Sequence, residues 1–343
     1  EIIARSAKVP AILLSPSPTL DAIHRHARSI LQTPSPTRRA FILEDIHDQF
    51  GNREFSCIGS ALTRRLEQMH EGQSAILFLN RNGFGSSVMC MDCQRVVQCP
   101  HCALPLTHHK DEGINTLRCH HCLHIEPIRL ICPYCASVNV KSVGKGIERV
   151  EAEARIAFPQ LSIQCLTYPS LNGLLWKNKA PDMIGVIDAL SPLHIPDFRA
   201  LEHIWQFLDK ITTYTTRHKI PLVIQTFAPD HPIFAALSSA KPSLFYTTEL
   251  ADRMNMGYPP FTRLVKVITR HTENKVAHAE AERLHALLHA ANPSAPYAAH
   301  PQKQNGKYVW NLLLRLPTKR SLAELLTALP RDTVIDIDPE STL

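Results

Sequence analysis

The chain has 343 residues, enough for two or three domains, and its 44% hydrophobic and 20% charged residues are those of a globular protein rather than a disordered one. No run of about 18 apolar residues offers a membrane span, and no secretory-leader pattern is found, although the chain opens at Glu1 without a methionine. The formal charge of +6 suggests an acidic partner. Two four-thiolate zinc sites, at −2 each, would bring it nearer +2, so nucleic-acid binding must be argued from local patches.

VPAILLSPSPTLDAI (9–23) reads as a short apolar strand, a Pro/Ser turn and a helix start capped by Thr19. QTPSPTRR (32–39) reads as a linker and Phe41 to Leu43 as a strand. Ser60 is the expected cap of SALTRRLEQMHEG, with Leu62, Leu66 and Met69 on one face and Gly72 past its end. SAILFLN (74–80) is a buried parallel strand. GIERVEAEARIAFP reads as a helix with Val150, Ala154, Ala157 and Phe158 inward. MIGVID (183–188) and PLVIQT (221–226) are further buried strands, with a helix near 198–210 between them. This alternation predicts a parallel-sheet α/β lobe. From about residue 240 the pattern becomes β-α-β-α-β, a small α+β domain: FTRLVKVITR (261–270), VAHAEAERLHALLHAA (276–291), KYVWNLLLRL (307–316), a helix at 321–329 and TVIDID (333–338).

Eight of the ten cysteines lie between positions 90 and 135 as four C-x-x-C pairs. A disulfide scaffold belongs to small secreted chains, and a thioredoxin-like motif needs one pair rather than four. Each pair can turn two thiolates onto one tetrahedral metal at about 2.3 Å, so four pairs make two structural zinc sites. Residues 103–118 separate the second and third pairs, within the roughly 15–20-residue window of a zinc ribbon. Residues 94–98, between the first two pairs, are too few for one. The expected pairing is therefore nested. Cys99, Cys102, Cys119 and Cys122 hold the inner zinc, and Cys90, Cys93, Cys132 and Cys135 the outer one. Such closed sites leave no coordination position for His101, His108, His109, His120, His121 or His124, and none for metal catalysis. Cys57 and Cys165, outside the block, read as buried structural thiols.

The block is preceded by LFLNRNGFGSSVMC and followed by VGKGIERVEAEARIAFP, VIDALSPLHIPDFRALE, VIQTFAPDHP, ELADRMNMGYPPFTRL and IDIDPESTL. Together these resemble, nearly end to end, the C-terminal half of the primosomal protein N′ family, bacterial replication-restart DNA helicases. The resemblance implies an α/β fold: a RecA-like second helicase lobe with an inserted two-zinc module and a C-terminal domain like a ribosomal protein. It implies the end of the first lobe and a linker over 1–35 and the second lobe over 36–88 and 140–238. The zinc insertion then covers 89–139 and the C-terminal domain 239–343. It also implies ATP-dependent 3′–5′ unwinding, a cytoplasmic location at replication forks on the nucleoid, and no membrane. The implied partners are forked or single-stranded DNA, the single-strand DNA-binding protein, and the proteins that load the replicative helicase.

The chain departs from that family where the motor should be. No G-x-x-x-x-G-K-[ST] or D-E-x-H string occurs; the Gly-Lys steps at 144–145 and 306–307 precede neither Ser nor Thr. In the family those strings lie upstream of the stretch matching Glu1. LLSPSPTLDAI stands where the family has a G-S-A-T-P-S-type motif, and nothing corresponds to G-T-Q-M-x-x-K-G. Aligned backwards from VIQT, the two arginines of Q-V-A-G-R-A-G-R fall on Thr212 and Thr215, with Arg217 nearby but isolated. Arginines of that kind are worth about 10³–10⁵ in phosphoryl-transfer rate. The expectation is a DNA-binding primosome-assembly protein with two structural zinc ions and without helicase activity, its use of ATP doubtful. The alternatives are an active helicase with its ATP motifs upstream and a zinc-ribbon adaptor that binds proteins. Candidate DNA contacts are Arg95, Lys110, Arg118, Arg129, Lys141 and Lys145 near the zinc module, and Lys303 and Lys307 around Tyr308 and Trp310. Lys319 matches a position that the family presents to the acidic tail of the single-strand DNA-binding protein. GYPPF, around Gly257, Pro259 and Pro260, reads as a rigid structural turn.

Overall fold

The computed structural model describes residues 15, 17–26, 39–46, 56–79, 87–93, 95, 97, 100, 106–111, 114–118, 124–128, 131–143, 147–171, 173, 180–194, 197–239, 241–304, 306–317, 322–323, 327, 329–330 and 332–342. The strand expected before residue 15 and the linker before Arg39 lie outside them, as does most of the helix expected at 321–329.

The first helix, α1 (Leu20–His26), starts as expected, with Thr19 Oγ1 accepting the Ala22 amide at 3.2 Å. Leu20 is fully buried in the core shared with the parallel sheet. Strand β1 (Ile42–Asp45) leads to α2 (Ser60–Glu67), whose cap differs from expectation. Ser60 is the first helical residue, and the N-cap, Gly59, makes no side-chain hydrogen bond. The orphan amides are satisfied by Glu44, at the end of β1, which accepts from Ala61 N at 2.6 Å, Leu62 N at 3.3 Å and the Ser60 hydroxyl at 3.2 Å. A Cβ on Gly59 would sit 2.5 Å from that carboxyl carbon, so a larger residue there would push the capping carboxylate aside.

Strand β2 (Ser74–Leu79) follows, then the inserted sheet: β3 (Ser87–Cys90), β4 (Thr107–Asp111), β5 (Ile114–Arg118), β6 (Ile125–Pro127) and β7 (Val140–Val143). The chain returns through α3 (Ile147–Ala157) and strands β8 (Ser162–Thr167) and β9 (Met183–Ile187). It continues with α4 (Ala200–His218), β10 (Leu222–Thr226), α5 (Pro232–Ser238) and α6 (Pro242–Met256). On α3, Val150 and Ala154 are buried and Phe158 packs just past the end. Ala157, expected inward, is exposed, because the chain closes on the core through Phe158 instead. Helix α4 runs well past the expected 210. Within it, Thr212 and Thr215 turn their hydroxyls back to the carbonyls of Leu208 and Thr212, at 2.7 and 3.1 Å.

The sheet order is β1-β10-β9-β2-β8, every pair parallel. Helices cover both faces. Ile76, Phe78, Ile184, Val186 and Ile224 pack with Leu20, α4, α5 and α6. Leu77, Leu79, Ile187 and Val223 pack with α2 and α3, where Cys57 and Cys165 are buried. Burial pushes the Cys165 thiol up to about 12, as expected of a structural residue.

The second half adds β11 (Arg263–His271), α7 (Asn274–Leu287), β12 (Tyr297–Gln304), β13 (Lys307–Leu316) and β14 (Val334–Ile337), an antiparallel sheet of order β12-β13-β11-β14. Strand β12 was not expected. Its AAHPQKQ sequence is poor in strand formers, and Pro301 suits only an edge, which is where β12 lies, with its register broken between Ala298 and Lys303.

Helix α6 joins the two sheets. Phe245 stacks on Trp205 at 4.5 Å, inside the parallel-sheet core. Two turns further, the wholly buried Arg253 reaches Glu249 Oε1 at 3.0 Å, Glu202 Oε2 at 2.9 Å, and the carbonyls of Phe198 and Pro259 at 3.2 and 3.4 Å. Gly257, at φ +64°, ends α6, and the GYPPF turn contains a cis Pro259–Pro260 bond. Removing one partner of a buried ion pair leaves an uncompensated charge. Arg253→Met therefore lowers stability by about 3–5 kcal/mol, read as an earlier guanidinium midpoint; a change below about 1 kcal/mol would mean that the pairing is inert.

Candidate metal centre

Strand β3 ends at Cys90, and a turn presents Cys93. Past β6, a second turn carries Cys132 and Cys135 before β7 begins. Strands β3 and β7 pair antiparallel, with Cys90 opposite Val140, so the insertion is closed at its root and the two knuckles face each other. All four sulfurs lie within 4.8 Å of one another, with Cys90–Cys135 at 3.5 Å and Cys93–Cys132 at 3.7 Å. Sulfurs at the corners of a tetrahedron, each about 2.3 Å from zinc, would be about 3.8 Å apart. The donor set fits zinc, and no described cysteine is in a disulfide. Within the block, His124 pairs with Glu126 at 3.0 Å.

Each knuckle is shaped by backbone hydrogen bonds. The Cys90 amide donates to the Arg95 carbonyl at 3.0 Å, Cys132 N to Ser137 O at 2.7 Å, and Tyr134 N to the Cys132 sulfur at 3.4 Å. The sequence did not reveal the clamp between them. Asp92, inside the first C-x-x-C, accepts from the Ser137 hydroxyl and, at 3.0 Å, from Asn139 Nδ2 beyond the last cysteine. A short polar residue inside a knuckle was the available signal, but its partners lie 45 and 47 positions away.

The thiols are electrostatically unequal. The Cys93 amide draws Cys90 down to about 6, against desolvation and with help from Asp92 N and the neighbouring sulfurs. For Cys135, the Ser137 amide favours the thiolate. Desolvation and the crowding of Cys90, Cys93 and Cys132 outweigh it and push the thiol up to about 12. Four bare thiolates cannot share this space, so a divalent cation must displace protons as it binds.

The inner set, Cys99, Cys102, Cys119 and Cys122, lies outside the described residues, as do Arg129, Lys145 and Lys319. Lys110 and Arg118 sit on adjacent strands, opposite Asn115 and Thr107. Arg95 is exposed, with its guanidinium 5.5 Å from the Tyr134 ring centre, and Lys141 is exposed on β7. Around them Ile131, Tyr134 and Val138 present an apolar crest to solvent, Val138 at 79%. In the other sheet, Lys303 and Lys307 flank the β12–β13 turn, opposite Tyr308 and Gln304. Tyr308 and Trp310 are half-buried rather than core residues; Trp310 donates to Asn274 at 2.8 Å and packs on His278 at 4.2 Å.

Cys132→Ser or Cys93→Ser should lower bound zinc by one ion per chain and expose the module to protease, measured by elemental analysis and limited proteolysis. Unchanged zinc content would overturn the assignment.

Two family models match the chain: the primosomal protein N C-terminal domain over residues 254–340 and the PriA DNA helicase Cys-rich region domain over 99–127. The second match spans all four inner cysteines. The chain is 29% identical over 359 residues to the replication restart protein PriA of Bacillus subtilis, covering 92% of this chain and 44% of that protein. It is 27% identical over 393 residues to that of Haemophilus influenzae (99% and 53%), and 30% over 307 residues to that of Chlamydia trachomatis (80% and 40%). The chain spans about half the length of these curated relatives. A parallel α/β domain, a cysteine module with a zinc-spaced thiolate set and the matched C-terminal sheet thus agree with both models and with relatives along most of the sequence: the chain belongs to the PriA family of replication restart proteins.

Proposed function

We propose that this chain is a DNA-binding, zinc-stabilised primosome-assembly module that descends from a helicase and no longer unwinds DNA. The observation carrying the loss of the motor is the surroundings of Thr212 and Thr215. Both are 1% exposed on the inner face of α4. Arg39 occupies the space beside them, its Nη1 donating to Asp209 at 2.5 Å and to Thr212 at 3.3 Å. Burial raises the Asp209 carboxyl despite that arginine. The guanidinium next to this helix is therefore buried and tied to a carboxylate, unlike one free to meet a phosphate. Arg217 is exposed in the last turn of α4, two residues past Thr215.

Zinc is structural in this reading, two ions per chain, nested: the outer set clamped by Asp92 and the inner set spaced as a ribbon. Zinc supplies rigid cross-links there, and the protein's own turns hold the thiolates. The DNA surface is the β12–β13 end of the C-terminal sheet. Lys303 and Lys307 stand there with Tyr308 and Trp310, and exposed Arg270 is opposite Val309 on β11. A sheet end that carries basic groups and half-exposed rings suits single-stranded DNA at a fork. A location in the cytoplasm at replication forks, and recruitment of the single-strand DNA-binding protein through Lys319 and of helicase-loading proteins, complete the proposal. A zinc-ribbon adaptor is the second reading, favoured by the apolar crest of Ile131, Tyr134 and Val138.

Two measurements test this. DNA-stimulated ATP hydrolysis should be absent in the full-length protein; turnover at an ordinary helicase rate would refute the loss of the motor. The double substitution Lys303→Ala, Lys307→Ala should weaken single-strand binding and reduce the slope of log K against log salt by about 1.4. Weak wild-type binding with a flat slope would instead select the adaptor.

A further inference from the structure

The C-terminal sheet grips the parallel-sheet domain with both of its ends, and the two grips close on neighbouring residues, Asp197 and Phe198. The entry grip precedes β11. Tyr258 stacks on Phe198 at 5.2 Å, Arg315 lies over the other side of the junction 4.9 Å from the Tyr258 ring, and Arg253 lies 5.3 Å from the Phe198 ring. The exit grip follows β14. There the chain turns at Asp338, at φ +55°, whose amide donates to Leu264 O at 2.9 Å and whose carboxylate accepts from Arg263 at 3.1 Å. It then crosses the sheet on the face away from α7.

Two residues of that face receive it. Lys266 is 8% exposed and alternates with Val265 and Val267, which pack under α7. Its ammonium donates to the Ser341 carbonyl at 2.9 Å. Tyr297, on β12, donates to the Thr342 carbonyl at 2.6 Å, and Thr342 is 8% exposed. The Ser341 hydroxyl then leaves its own domain and donates to Asp197 Oδ2. The other oxygen of Asp197 accepts the Arg199 amide at 2.8 Å, and the Asp197 carbonyl accepts Ala200 N at 3.0 Å, at the start of α4. One carboxylate thus ties the end of one domain to the first turn of the other's longest described helix.

We propose that the segment Asp338–Thr342 is an inter-domain latch, with Asp197 as its keeper. The entry grip is built around buried Arg253, which Glu202 and Glu249 hold in place and which donates across the junction to the Pro259 carbonyl. The exit grip rests on hydrogen bonds, one of which crosses between domains. The latch is therefore the weaker end: it opens first, letting the C-terminal sheet turn about the entry at Gly257 while Arg253 holds. This goes beyond the DNA-binding proposal and does not depend on it.

Hydrogen exchange on the complete chain tests the latch, because coupling through one bond must be felt on both sides. Ser341→Ala should speed exchange of the Arg199, Ala200 and His203 amides by roughly two- to tenfold, the share of one hydrogen bond. Asp197→Ala should speed exchange of the Asp338 amide by a similar factor. Amides of β9 and β10 serve as controls and should not change. The latch is refuted if each substitution speeds exchange only within its own domain, or if the β9 and β10 amides change equally. Ser341→Ala alters a partly exposed hydroxyl, so it decides the matter even if Asp197→Ala fails to fold.

Discussion

The structure depends on a buried charge that cannot be left alone. Arg253 has no solvent to fall back on, so Glu202, Glu249 and two carbonyls must converge on it. Meeting that demand fixes much of the chain. Glu202 also accepts the Leu20 amide at 2.9 Å and the Arg199 guanidinium at 3.4 Å, and Arg199 reaches Asp21 at 3.0 Å. Three segments distant in sequence, around residues 20, 200 and 253–259, are thereby held in one arrangement. Burial raises the Glu249 carboxyl even beside Arg253. The network is thus better viewed as specifying geometry than as adding net stability.

The same network bears on where domains divide. A boundary at 239 would assign α6 to the C-terminal unit, yet Phe245 and Tyr246 are core residues of the parallel-sheet domain. The family model for the C-terminal domain begins at 254, at the end of that helix. Packing and match both favour a division near Gly257. By the same argument α1, whose Leu20 is wholly buried in the parallel-sheet core, is built into that domain.

What could be read from sequence follows from the range of the interactions involved. β2, β9 and β10 announce themselves as apolar runs because parallel strands are buried on both faces. The four outer cysteines could be grouped because metal spacing is local within each knuckle. Features fixed by distant partners were invisible. Glu44 caps a helix that starts 16 residues later, Asp92 clamps residues beyond the last cysteine, and Arg253 draws on Phe198 and Glu202, more than 50 residues earlier. β12 was missed for a different reason: an edge strand containing Pro301 satisfies few of the preferences that define strands. The threonines of α4 belong to a residue type that favours strands, and burial overrode that preference.

The pairing of β3 with β7 has a further consequence for how such a protein can change over generations. Because Ser87 lies opposite Val143, the whole cysteine module leaves and re-enters the parallel-sheet domain at nearly one point. To the β2–α3–β8 crossover, residues 91–139 are equivalent to a short connection. The entropy of closing a loop grows only slowly with its length, and here the module's own strands close it. The module and its host can therefore diverge at separate rates. A change in the host places little pressure on the module, and a redesigned module need not disturb the host.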